Sequence, residues 1–227
     1  MIKHVSPPWT LEGKGYVFIF RFPKDYIQKS PFVPKEWANA FTGGMGSIMF
    51  AEYTKSPVGP YREILFIPGK FSLEKLRRYA ITKIYVSTEE SKENGIINWG
   101  IPKERAGFTY QRVSKNAERI RVLLNEVQML DLTIGFGGPK FPVFTWMKPL
   151  PLVQKRGGDL MLSQFKGHGF AQPAHIRIIT VNKELFPDFG TFTPIAGFRL
   201  DPFKITFPEA KIQKGKAENL PPLFQDH

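Results

Sequence analysis

Asn94-Gly95-Ile96-Ile97-Asn98-Trp99-Gly100-Ile101-Pro102-Lys103-Glu104-Arg105-Ala106 sets one lysine, Lys103, among Trp, Gly, Ile and Pro. An amine held in such apolar, conformationally restricted surroundings is favoured in its neutral form, because burial penalises the ammonium ion. Upstream runs Pro57-Val58-Gly59-Pro60-Tyr61-Arg62-Glu63-Ile64-Leu65-Phe66-Ile67-Pro68-Gly69, a strand-like apolar segment that carries one acid, Glu63. A lysine and a carboxylate, each set in apolar company, point to covalent amine chemistry on a carbonyl. The competing readings are a structural or surface lysine and a carboxylate paired with a surface cation.

The segments around these two read mostly as strands. Gly15 to Phe22, Ser47 to Tyr53, Tyr61 to Pro68 and Ala80 to Ser87 are rich in aromatic and β-branched residues, with Gly and Pro between them. Thr88 is an N-cap with acids after it, and Gly95 is the expected close of a short helix that delivers the chain to Lys103. Pro34 to Ala40 has room for a turn or two of helix. Downstream, Gly107–Val113, Ile120–Val127, Gln128–Phe136, Val143–Met147, Leu160–Phe165, His175–Val181 and Gly197–Phe207 are further strands. Lys211 to His227 is polar, carries Pro221-Pro222, and reads as an exposed tail. The expected organisation is a single domain over residues 1–212 and a tail over 213–227: mainly β (α+β), a curved sheet with a few short helices.

Composition narrows the function classes. The chain has 227 residues, 42% hydrophobic and 14% aromatic with 21 Phe, enough for one substantial core. It has no cysteine, so disulfides and thiolate metal sites are excluded. His4, His168, His175 and His227 show no metal-ligand spacing, and no metal or cofactor is expected. No apolar run approaches the ~20 residues of a membrane span, so the expectation is a cytoplasmic protein without a membrane partner. The net charge of +12 is scattered and comes with no nucleic-acid motif. A basic surface on an enzyme of anionic small molecules explains it better than nucleic-acid binding. Gly135-Phe136-Gly137-Gly138-Pro139 lacks the lysine–serine pair of a phosphate loop and reads as a turn. Ser163 and His168 lack a nucleophile-elbow sequence, and His168 reads as structural.

Tyr61-Arg62-Glu63 on an apolar strand, followed by Ile101-Pro102-Lys103 after a short helix, resembles the acetoacetate decarboxylase-like family. Asn94-Gly95, Pro194-Ile195-Ala196-Gly197-Phe198 and Gly13-Lys14-Gly15-Tyr16 support the resemblance, which extends over most of residues 10–212. It implies a curved, mainly antiparallel sheet closing into a barrel-like cone around a buried lysine, and commonly a homo-oligomer. It also implies a cofactor-independent lyase in which Lys103 forms a Schiff base with a keto acid, decarboxylation being the first expectation. Glu63 would be the second catalytic residue; Lys14, at the place of a substrate-binding arginine, would bind substrate together with Tyr61 and Trp99. Two positions depart from the pattern: Glu104 stands where a second lysine follows the first, and Ile48 stands, by spacing, where an additional glutamate precedes the strand. Aldol or dehydration chemistry through the same imine, or a non-catalytic small-molecule-binding role, are the alternatives.

A free lysine is neutral in only about one molecule in 2,500 at pH 7, and bringing its pKa near 7 takes roughly 4 kcal/mol. Apolar burial or a neighbouring cation supplies that, acetoacetate decarboxylase itself being the standard example. Trp99, Ile101 and Phe108 are the expected desolvating neighbours. Arg105 would share the face of Lys103 and Glu104 would point the other way.

Overall fold

The computed structural model describes residues 2–146 and 149–215. In chain order its strands are β1 (Trp9–Phe20), β2 (Phe41–Gly43), β3 (Gly46–Lys55), β4 (Tyr61–Ile67), β5 (Lys70–Leu73), β6 (Leu76–Tyr79), β7 (Lys83–Val86), β8 (Lys103–Arg105), β9 (Gly107–Ser114), β10 (Ala117–Leu124), β11 (Val127–Phe136), β12 (Phe141–Phe144), β13 (Leu152–Arg156), β14 (Asp159–Ser163), β15 (Lys166–Val181), β16 (Ala196–Phe207) and β17 (Lys211–Gln213). Three short α-helices, α1 (Lys24–Gln28), α2 (Lys35–Ala38) and α3 (Glu89–Trp99), and a 3-10 turn at Phe189–Thr191 accompany them among the described residues. No helix among the described residues is long and apolar enough to cross a membrane.

The larger sheet runs β8-β7-β4-β3-β1-β16-β15-β11-β10-β9, with β12 also pairing with β15; the smaller runs β17-β14-β13-β6-β5-β2. The larger sheet is antiparallel except where β8 lies parallel to β7. The barrel-like closure expected from the sequence is not found: β8 and β9 end the ladder and do not pair with each other. Yet only Ala106 separates these two strands in the chain, which holds their ends within about 7.6 Å. The end of β8 and the start of β9 therefore stay close, although the two strands do not pair.

Strand alternation divides the apolar side chains between two cores. On β3 and β4, Ile48, Phe50, Ile64 and Phe66 enter one core with Phe18, Phe20, Ile120 and Leu132. Ala51, Tyr53, Tyr61, Leu65 and Ile67 face the opposite side, where Trp99 of α3 and Leu152 and Met161 of the smaller sheet complete a second core. Each fully buried large side chain contributes roughly 1.5–3 kcal/mol, so both faces of the central strands are fixed by burial and a one-residue slip would misplace both sets.

Several boundaries differ from the sequence reading. Helix α3 continues past Gly95 to Trp99 and ends at Gly100, whose left-handed φ of 66° suits glycine. Its start is as expected, with the Ser91 amide donating to Thr88 Oγ1 at 3.3 Å. Strand β15 begins at Lys166, well before His175, because its first half pairs with β12 and β16. Lys211–Gln213 is not tail but a strand on β14. Met147 and residues 216–227, which include most of the expected tail, lie outside the described residues.

Candidate active site

Lys103 and Glu63 meet in the second core. Glu63 projects from the middle of β4, opposite Ala51 on β3. Lys103 opens β8, and β8 lies beside β7, which pairs with β4. The Lys103 Nζ lies 3.4 Å from Glu63 Oε2 and donates to Ser91 Oγ at 3.0 Å. On the other side of the carboxylate, the Tyr53 hydroxyl donates to Glu63 Oε1 at 2.7 Å. The Tyr61 ring centroid lies 5.1 Å from Nζ. Lys103 is 6% exposed and Glu63 5%, so neither charge is relieved by bulk water.

Burial pushes the Lys103 amine below the usual lysine value, although the charge and hydrogen bond of Glu63 pull it partly back. The same burial, with the Glu63 charge nearby, drives the Tyr53 and Tyr61 hydroxyls well above the usual phenol value, so both stay protonated. Tyr53 is thereby a fixed donor to Glu63.

Helix α3 positions the amine in two ways. Its first turn supplies the Ser91 hydroxyl, and its middle supplies a gap at Gly95. A Cβ built on Gly95 would stand 2.6 Å from Lys103 Cδ and 2.7 Å from Cε. The helix is anchored in turn by its asparagines: Asn94 Oδ1 accepts from the Val5 amide at 2.7 Å, and Asn98 Nδ2 donates to the Val5 carbonyl at 2.9 Å. Trp99 packs edge-on against Trp9 at 5.1 Å and donates Nε1–H to the Pro208 carbonyl at 2.7 Å.

A recess of about 30 Å³ reaches Lys103 and is lined by Tyr53, Tyr61, Glu63, Trp99 and Ile101 among others. It shares Tyr53, Glu63, Leu65, Ile81 and Phe207 with a larger cavity of about 240 Å³. That cavity runs past Met49, Ala51 and Leu152 toward Val143, Thr145 and His168.

Of the residues singled out in the sequence, Lys103, Glu63, Tyr61 and Trp99 come together here. Lys14 does not. It pairs across the strands with Glu52, on the face opposite Ala51 and Tyr53, and its Nζ lies 3.2 Å from Glu52 Oε2 and 3.7 Å from Glu118 Oε1. Ile48 likewise faces the other core, so the site-facing residues of β3 are Met49, Ala51 and Tyr53. Glu104 points outward to Lys83 at 2.5 Å, as alternation requires. Arg105 is exposed and lies 3.8 Å from Glu89, not beside the amine. Phe108 packs against the first core, leaving Trp99 and Ile101 as the apolar cover of Lys103. His168 is exposed at the mouth of the larger cavity.

Tyr53 and Ser91 were missed. Tyr53 carries a legible signal, since alternation from Ala51 and the pairing of β3 with β4 put it on the face of Glu63. Ser91 carries almost none, because its role depends on where the turn after α3 returns Lys103.

No family model and no curated protein matches the sequence. Solved structures do match, and they show that the chain has the acetoacetate decarboxylase-like fold. An acetoacetate decarboxylase aligns at 11% identity over 95% of this chain and 93% of its own, with a TM-score of 0.69. The acetoacetate decarboxylase of Legionella pneumophila aligns at 11% identity over 94% and 90%, with a TM-score of 0.65. The enduracididine biosynthesis enzyme MppR, complexed with pyruvate, aligns at 14% identity over 92% and 91%, with a TM-score of 0.63.

Proposed function

We propose that the protein is a cofactor-independent lyase that acts on a keto acid through a Schiff base on Lys103, with decarboxylation as the reaction. The observation that carries this reading is a buried amine, held below its usual pKa, 3.4 Å from a buried carboxylate at the junction of a recess and an apolar cavity. The fold shared with acetoacetate decarboxylases supports it.

The neutral amine attacks the keto carbon, and the carbonyl oxygen leaves as water, giving a protonated imine. The bond to the carboxylate then breaks, carbon dioxide departs, and the electron pair moves to the imine nitrogen as an enamine. A proton added to the enamine carbon restores the imine, and water releases the ketone and the free amine. The net change is keto acid plus one proton to ketone plus carbon dioxide. In this reading Glu63 carries the proton to and from the nitrogen or the enamine carbon. Tyr53 holds the carboxylate in position, and Ser91 orients the amine lone pair.

Lys103→Ala tests the reading: carbon dioxide release from a turned-over keto acid is abolished, whereas unchanged release sinks the proposal. A second reading has its own support. The MppR structures hold pyruvate and a condensation product of pyruvate with imidazole 4-carboxaldehyde, so aldol or dehydration chemistry through the same imine fits the same residues. A non-catalytic binding role would leave Lys103 and Glu63 as a buried ion pair below an apolar cavity.

A further inference from the structure

The cavity above Lys103 is unlike what a compact, multiply charged keto acid requires. Its volume of about 240 Å³ exceeds the roughly 150 Å³ that accommodates a benzene ring in an apolar protein interior. Met49, Ala51, Leu65, Leu152, Phe203 and Ile205 supply its walls. No lysine or arginine among the described residues lines it, and the acid on its wall is Glu63. Lys14 is committed to Glu52 and Glu118 on the other face of the sheet. Among the described residues, a second carboxylate would find only the His168 imidazole and the Thr145 hydroxyl along these walls, and at the other end it would meet Glu63.

We infer that the substrate is a monocarboxylate keto acid with an apolar tail of about five or six carbons or an aryl group, the keto end reaching Lys103 and the tail filling the cavity toward Val143 and His168. This rests on the Schiff-base reading for the reacting end only; the tail site stands on the cavity. The apolar walls also favour decarboxylation. They disfavour the localised carboxylate charge of the bound keto acid more than the dispersed charge formed as carbon dioxide leaves.

The test compares borohydride trapping on Lys103 with β-ketooctanoate, acetoacetate and acetonedicarboxylate, and calorimetry with octanoate and acetate. β-Ketooctanoate is expected to trap at least tenfold faster than acetoacetate, acetonedicarboxylate slowest, and octanoate to bind at least tenfold more tightly than acetate. Ala51→Leu narrows the cavity and lowers both ratios at least threefold. Val143→Trp, at the partly exposed mouth, does the same if the first variant folds poorly. Equal or faster trapping of acetoacetate or acetonedicarboxylate overturns the inferred class while leaving the imine intact. If no keto acid traps, the Schiff-base reading fails, and octanoate binding then decides the tail site alone: selective binding upholds it and equal binding overturns it.

Discussion

Gly95 and Lys103 are packed so that a methyl group on the first would stand 2.6 Å from Cδ of the second. The glycine sits inside a helix, where alanine would be favoured by about 1 kcal/mol, so its presence is explained by the lysine running across it. The contact is with the far end of a flexible chain, which can swing aside. Gly95→Ala is therefore expected to change stability by under about 1 kcal/mol while breaking the 3.0 Å hydrogen bond to Ser91. Trapping of a keto acid on Lys103 falls at least tenfold. A variant that traps normally removes this role for Gly95.

Glu63→Gln separates two roles of the carboxylate. Losing a group that transfers a proton lowers turnover roughly 100-fold. Because the Glu63 charge and hydrogen bond pull the Lys103 amine back up, their removal lowers its pKa further. The pH midpoint of trapping should therefore move down even as turnover collapses. A midpoint that stays put would show that the two groups do not sense each other.

Tyr53→Phe has the opposite sign. Glu63 loses the donor that disperses its charge on Oε1, and a buried acceptor left unpaired costs about 1–3 kcal/mol. The carboxylate then holds the ammonium more strongly, and the trapping midpoint moves up. Urea denaturation and the pH profile together check both parts.

Stability follows the same lysine. Its folded pKa lies below the unfolded value of about 10.4, so between the two the unfolded chain holds a proton that the folded chain lacks. The contribution of Lys103 to unfolding free energy accordingly rises with pH through that window and is least favourable below it. Relative to Lys103→Met, the native protein should gain stability in urea titrations as the pH rises toward the unfolded lysine value of about 10.4. A flat difference contradicts the depressed pKa.

Lys14→Met checks the placement of Lys14 outside the site. The variant is expected to leave trapping on Lys103 within about twofold of the native protein, because its partners Glu52 and Glu118 lie across the sheet. A loss of tenfold or more would bring Lys14 back to the substrate.

The strands that carry the site were legible because burial on both faces writes a dense apolar pattern, as in Tyr61–Ile67 and Gly46–Lys55. The short strands Lys70–Leu73, Leu76–Tyr79 and Leu152–Arg156 were not, since charged residues and brief length dilute their alternation. Lys103 and Glu63 stood out as polar residues in apolar runs, and Tyr61 and Trp99 through their neighbours. Lys14 misled because a register shift between Gly13 and Gly15 accompanies its place on β1, and spacing along the chain does not reveal which face a bulged residue takes. Gly95 looked like a helix end because its real reason, the approach of Lys103, is tertiary.

Borohydride reduction of the protein with a keto acid, followed by peptide mass spectrometry, shows whether Lys103 forms the imine. A reduced adduct is expected on the peptide bearing Lys103, absent from Lys103→Ala, with a mass that lacks the carbon dioxide. No adduct with any keto acid between about pH 6 and about pH 9, a range reaching toward ordinary lysine titration, or an adduct on another lysine that persists in Lys103→Ala, would contradict it.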